Sequence, residues 1–262
     1  MIPLQVTISG GHDRSGRVET VRRLELAAGD TLAVVGPTGS GKSLLLSDIE
    51  QAAEGDTPSG RQVAIAGWSG RSGLGAVATL SQRTNFLMDT DVRTFVAVHA
   101  ACLAKDGTVT AEAVVALANT LCGEPVRPAD PLQGLSGGQT RALMIADIAL
   151  ISDAPVILLD ELENAGIDKH KALATLSARG KIIITATHDP LLVLMSRRRL
   201  VMRGGGMSAL HEIDTAEAAW RDRLSGLDAL LQQVRDALRD GDRLGPGTVS
   251  APSPACSCCP ET

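Results

Sequence analysis

One stretch constrains this chain more than any other. Gly36-Pro37-Thr38-Gly39-Ser40-Gly41-Lys42-Ser43 satisfies the phosphate-loop pattern G-x-x-x-x-G-K-[ST] at every specified position. The residues before it, Thr31 to Val35, are a short apolar, β-branched run and predict a buried strand. The residues after it, Ser43 to Ile49, suit a helix. The glycines let successive backbone N–H groups turn inward into an anion nest. The following helix adds its positive N-terminal end. Lys42 supplies a mobile cation for phosphate, and the Ser43 hydroxyl is a hard oxygen of the kind Mg²⁺ accepts.

The remaining chain alternates strand-like and helix-like segments. Strands are expected at 2–8, 18–26, 63–67, 75–80, 156–159, 181–186 and 200–202. Helical periodicity runs through 91–122, 141–150 and 191–195, with a Pro-containing linker at 123–134. Such alternation predicts an α/β fold with a largely parallel sheet covered on both faces. Residues 1–210 read as one domain, with a helical subdomain at about 91–150. Trp220, Leu224, Leu227, Leu230, Leu231, Val234 and Leu238 then form one apolar stripe on a helix within 211–244. Packing of that stripe back on the sheet is the expected use, with a dimer contact as the alternative. Residues 245–262 read as a flexible tail rich in Pro, Ser and Cys.

Composition narrows the class. Aromatic residues are 2% of the 262, with no tyrosine, so the core must be aliphatic. The net charge of −5 argues against a nucleic-acid-wrapping surface. No apolar run approaches the roughly 18 residues that span a bilayer. Met1-Ile2-Pro3-Leu4 lacks the basic start of an export signal, so a cytoplasmic location is expected.

Four further features follow the glycine loop. Val156 to Leu159 is an apolar strand ending in two carboxylates, Asp160 and Glu161. Asp160 is placed to hold Mg²⁺, and Glu161 to orient or deprotonate an attacking water. Leu135-Ser136-Gly137-Gly138-Gln139 stands before a helix and offers a second anion site, suited to a γ-phosphate. Gln82 follows the strand ending at Leu80, in reach of Mg²⁺ or the water. His188 follows the strand ending at Ala186-Thr187, in reach of the γ-phosphate.

In this order the motifs resemble those of the ATP-binding cassette (ABC) ATPase family, over about residues 1–210. Gly36–Ser43 is similar to the Walker A loop, Gln82 to the Q-loop glutamine, and Asp160-Glu161 to Walker B with its catalytic glutamate. Leu135–Gln139 is identical to the family signature, Asp168 resembles the D-loop aspartate, and His188 the switch histidine. The resemblance implies a P-loop NTPase fold with a mainly parallel central sheet, an antiparallel β subdomain and a helical insert. It also implies hydrolysis of MgATP sandwiched head to tail between two cassettes, either a homodimer or two paired ABC ATPase subunits.

The sequence departs from the family pattern in three places. No aromatic other than histidine precedes the glycine loop to stack on adenine, leaving His12 or Arg14 for that task. The segment Asp160-Glu161-Leu162-Glu163-Asn164-Ala165-Gly166-Ile167-Asp168 is one residue longer than usual and carries the extra carboxylate Glu163. The tail Cys256-Ser257-Cys258-Cys259 groups three thiols suited to a soft metal such as Zn²⁺ or Cu⁺. Three functions therefore stand: the ATP-binding subunit of an ABC transporter, peripheral at the inner membrane face beside a permease; a soluble ABC ATPase in metallocofactor assembly or remodelling; and a DNA-repair-type ATPase, disfavoured by the acidic balance. Phe86, Leu87 and Met88 would line the permease groove under the first.

Overall fold

The computed structural model describes residues 3–68, 75–81, 85–105, 107–161 and 166–245. Strands β1 (Gln5–Ser9), β2 (Arg23–Ala27) and β3 (Thr31–Val35) precede helix α1 (Lys42–Glu50), followed by β4 (Gln62–Ala66) and β5 (Val77–Ser81). Helices α2 (Val92–Cys102), α3 (Ala111–Leu121) and α4 (Gly137–Leu150) come next. The chain continues through β6 (Val156–Asp160), α5 (Lys169–Ser177), β7 (Ile182–Ala186), α6 (Pro190–Met195), β8 (Arg198–Arg203), β9 (Gly206–Glu212) and α7 (Thr215–Arg239). It divides into two units, Met1–Glu212 and Ile213–Thr262, and α7 belongs to the second.

Two sheets result. One is antiparallel, in the order β2-β1-β4, and each strand buries alternate residues such as Val6, Ile8, Leu24 and Leu26. The other runs β5-β6-β7-β3-β8-β9, parallel except for β9. Its central strands are buried on both faces, as their unbroken apolar runs require. Successive residues serve opposite layers. Ile157, Leu159 and Ile183 join the core under α2 to α5, while Val156, Leu158, Ile182 and Ile184 join the core with α1 and the antiparallel sheet. The α/β fold with parallel sheet, antiparallel β part and helical insert is as expected.

Three local expectations change. The predicted strand at 18–26 begins only at Arg23, because the backbone before it bonds elsewhere: Glu19 N–H to Gly11 O at 3.0 Å and Val21 N–H to Met207 O at 3.1 Å. The helical stretch 91–122 is two helices, separated where Ala104 and Gly107 take positive φ of 53° and 79°. Each half has its own cap, Asp91 accepting from Thr94 N–H at 2.8 Å and Thr110 from Ala113 N–H at 3.2 Å. Strand β9 and helix α5 were not anticipated. Short amphipathic elements leave a weak periodic signal.

Two lysines close the C-terminal end of α4. Lys105 Nζ donates to Ile151 O at 2.5 Å, and Lys181 Nζ to Ser152 O and Ala154 O at 2.8 Å each. Burial, aided by the charge of Lys105, depresses the Lys181 ammonium from 10.5 to about 8. Its folded form thus sheds a proton that the unfolded chain keeps between those values, so this group makes stability rise from pH 8 to 10.5. We expect Lys181→Met to remove that rise. The check is the difference in urea midpoint between parent and variant at pH 7.5 and pH 10, which cancels the opposing titration of the Cys122 thiol, itself raised by burial.

Candidate functional site

The strand register gathers the site. Ser81 pairs with Asp160, Asp160 with Ala186, and Ala186 with Val34, so four parallel strands end in one row. The segments leaving that row are the Gly36–Ser43 loop, Glu161 and the Thr187-His188-Asp189 turn. This edge, beyond the carboxyl ends of parallel strands, is where α/β folds build ligand sites. Gln82, residues 162–165 with Glu163, and Cys256, Cys258 and Cys259 lie outside the described residues.

Within the loop, Lys42 is buried and donates to Gly36 O at 2.7 Å and Pro37 O at 3.3 Å. Its Nζ also stands 3.3 Å from His188 Nε2, which must accept, since an ammonium only donates. Ser40 Oγ is buried without a hydrogen-bond partner among the described residues. A buried hydroxyl left unmatched is uncommon and fits a loop shaped for a ligand. Pro37, Thr38 and Gly39 are exposed, as is Ser43 at the start of α1. A glycine loop with positive φ at Gly36, Gly39 and Gly41, a buried cation and hydroxyls at a helix N-terminus together fit a nucleoside triphosphate with Mg²⁺.

Glu161 is exposed at the end of β6 and takes φ of 54°, an unfavourable region for a side chain of this kind. Its N–H is held by Ala186 O at 3.0 Å, which fixes the backbone where it leaves β6. Backbone held in this way is a mark of sites where direction matters more than ease. Asp160 sits half-buried beneath it.

The Leu135–Gln139 segment is built on the helical insert. Ser136 caps α4 in a reciprocal box: Gln139 N–H donates to Ser136 Oγ at 3.3 Å, and Ser136 N–H to Gln139 Oε1 at 2.9 Å. Gln139 Nε2 is also tied to Pro125 O at 2.9 Å. Leu135 packs on the core, while Ser136 and Gly137 are exposed and Gly138 is partly so. Among the described residues no hydrogen bond joins Ser136–Gln139 to the Gly36–Ser43 loop.

Asp168 caps α5, accepting from Lys171 N–H at 3.0 Å, and its own N–H reaches Leu121 O at the end of α3 at 2.7 Å. The next residue, Lys169, forms an ion pair with Asp189, neighbour of His188. Burial alone would raise the Asp189 carboxyl, but the bonds from Lys169 and from Leu191 N–H hold it below its ordinary value. The sequence reading missed this link between two site loops, since 20 residues separate its ends.

It also missed a buried ionic cluster behind the loop. Arg61, fully buried, donates to Glu19 Oε1 at 2.5 Å, to Asp48 Oδ2 of α1 at 2.8 Å and to Gly205 O at 2.7 Å. Glu19 in turn accepts from Gly11 N–H at 2.9 Å and Met207 N–H at 2.8 Å. Gly205 N–H donates to Ser40 O at 2.9 Å, so the β8–β9 turn braces the phosphate loop from beneath. Gly205 and Gly41 touch backbone to backbone. A Cβ on Gly41 would lie 2.8 Å from Gly205 Cα, and both have positive φ, 95° and 101°. One signal was available: Asp48 falls on the buried face of α1, and a carboxylate there requires a buried cation.

His12 and Arg14, the two stand-ins for an adenine-stacking aromatic, sit differently. A Cβ on Gly60 would lie 3.4 Å from the His12 ring, whereas one on Gly205 would lie 2.7 Å from Arg14 Cγ. Arg14 is therefore the one beside the loop.

Comparison with known proteins gives the family. The ABC transporter family profile matches residues 21–164. An ABC transporter ATP-binding protein of Methanocaldococcus jannaschii, itself uncharacterised, is 44% identical over 246 residues, 92% of this chain and 94% of the relative. A macrolide export ATP-binding/permease protein of Psychrobacter cryohalolentis is 31% identical over 193 residues; the alignment covers 70% of this chain but 29% of that longer protein. Among solved structures, CbiO1 of Clostridium perfringens, part of an ABC transporter complex, superposes with a TM-score of 0.61 at 17% identity, covering 90% of this chain and 99% of that one. An ATP-binding cassette in its ADP conformation gives 0.54 at 18% identity, covering 80% and 91%. This chain belongs to the ABC transporter ATP-binding family. It is an ATP hydrolase of the P-loop class that uses ATP and Mg²⁺.

Proposed function

We propose that the chain is the ATP-binding subunit of an ABC transporter and that two cassettes close head to tail on MgATP. The observation that carries this reading is the convergence of Lys42, Asp160, Glu161 and His188 on one sheet edge, while Ser136–Gln139 stands apart on the insert. A second anion site that makes no bond to its own glycine loop is suited to a partner's nucleotide.

Residue roles follow from the geometry. Gly36 to Ser43 wrap the phosphates, and Lys42 exchanges its bonds to Gly36 O and Pro37 O for phosphate oxygens. That movement releases His188, which is then available to the terminal phosphate. Ser43 and Asp160, with Gln82, supply oxygens toward Mg²⁺, which neutralises charge on the transferring group when bound. Glu161 orients the water and takes its proton. Arg14 lays its planar cation beside the base. Asp168 positions the facing segments of the two subunits. Leu87, Met88 and Val98 are exposed apolar residues, and together with Phe86 they give a permease segment a surface to dock on.

The chain then works at the cytoplasmic face of a membrane through its partner; among the described residues no helix is long and apolar enough to cross one. Its remaining cysteines are read as a soft-metal tail on the spacing of Cys256, Cys258 and Cys259, a reading that would favour soluble metallocofactor assembly instead. Among the described residues no cluster of three metal-ligating side chains is present.

The test is expression with the membrane proteins encoded beside it. Co-purification with a multi-span subunit is expected, together with stimulated ATP turnover. Lys42→Ala should lower nucleotide affinity by at least about tenfold in equilibrium titration, since it removes a charge-assisted contact. A chain that purifies alone, with zinc or copper bound in proportion to the tail, would instead support the soluble reading.

A further inference from the structure

Helix α7 runs 25 residues, from Thr215 to Arg239, about 37 Å at 1.5 Å per residue, and none of its residues is buried. Its large apolar positions are Trp220, Leu224, Leu227, Leu230, Leu231, Val234 and Leu238, and all but Leu230 follow one another in steps of 4, 3, 4, 3 and 4. A helix lying on a globular core follows a period of 3.6 and widens its stripe. With Leu230 at a g position set aside, the alternation of 3 and 4 among the other six is the 3.5-residue period of a coiled-coil seam, with leucines at every a position and Trp, Leu and Val at the d positions. Trp220, Leu227, Leu231 and Leu238 are each more than half exposed.

The flanking charges choose the partner and its direction. In this heptad Arg223 falls at g and Asp228 at e of the next repeat. Two parallel copies in register bring Arg223 of each against Asp228 of the other, twice by symmetry. An antiparallel pair with the same apolar layers matched would set Asp228 against Asp228 and Arg221 against Arg235, which are like charges. Arg223 already lies across the seam edge, its guanidinium 5.2 Å from the Trp220 ring centre.

We infer that α7 pairs with α7 of a second copy of this chain as a parallel two-stranded coiled coil, and that this contact joins two cassettes in the absence of nucleotide. Such a tether raises the local concentration of one cassette at the other, so that ATP closes a pair already assembled. The inference goes beyond the ATP sandwich, because it concerns the nucleotide-free state.

The test is sedimentation equilibrium of the full chain without nucleotide. A concentration-dependent dimer is expected. Asp228→Arg and Arg223→Glu should each weaken it about tenfold, and the exchange of both charges should restore it. Leu227→Ser with Leu231→Ser should abolish it. Circular dichroism of each variant checks that helix content persists. A monomer at all concentrations, as when the stripe is covered by its own cassette or waits for a permease, would overturn the inference. So would single charge variants that match the parent, or an exchange that fails to recover pairing. The ATP sandwich is read separately: the Glu161→Gln chain carrying the double serine change should still associate when MgATP is added. Loss of that association alone would fault the sandwich and leave the helix pairing standing.

Discussion

Replacing Glu161 by glutamine is expected to leave MgATP binding intact and to cut ATP turnover by at least about a hundredfold, the range lost with a general base. The amide keeps the size of the carboxylate but cannot take a proton from water. Nucleotide then persists between the cassettes, and the variant combined with Leu227→Ser and Leu231→Ser, which removes pairing through α7, should elute as an ATP-dependent dimer that chelation of Mg²⁺ disperses. The measurements are single-turnover hydrolysis and sedimentation with and without MgATP. A variant that hydrolyses at the parent rate would remove Glu161 from the role proposed for it. The backbone is consistent with the assignment: a positive φ at a non-glycine residue, tied to Ala186 O, leaves this residue exposed at the end of β6.

The second large effect concerns Arg61. Its loss to methionine would leave Glu19 and Asp48 buried without their cation, a change that typically costs about 3–5 kcal/mol. Urea denaturation should show that loss at pH 7.5. The same variant should weaken nucleotide affinity, because Gly205 O loses its donor and the turn that supports Ser40 is freed. A companion variant, with Glu19→Gln and Asp48→Asn added to Arg61→Met, removes the stranded charges and is expected to recover much of the stability. If it recovers the stability but not the affinity, the brace acts on the loop and not only on the fold.

These two residues mark what the sequence disclosed and what it withheld. Glu161 could be proposed from the sequence because a local run marks it: an apolar strand, then two carboxylates, following a glycine loop. The same holds for Lys42 and for Ser136, whose capping box is itself a four-residue pattern. Arg61 was not legible. Its partners lie 42, 13 and 144 residues away, and no spacing rule links an arginine at a strand entrance to a hairpin turn near the end of the sheet. Asp48 alone hinted at it, as a charge on the apolar side of α1. Lys169 was hidden for the same reason, since its meaning depends on Asp189 across two loops. The strand predicted from 18 to 26 was shortened by that buried cluster as well, since Glu19 turns inward to serve it. Local alternation could not foresee a charge recruited to the interior.

The contact between Leu121 O and Asp168 N–H has a mechanical corollary. From there an unbroken series of contacts passes along the start of α5 to Lys169, across to Asp189, and so to the turn that carries His188. A tilt of the helical insert, wherever it originates, is thus geared to the imidazole beside Lys42 through bonds only a few ångströms long. The machine would sense load on its outer helices at the glycine loop proposed to hold phosphate, without any signal having to cross the sheet.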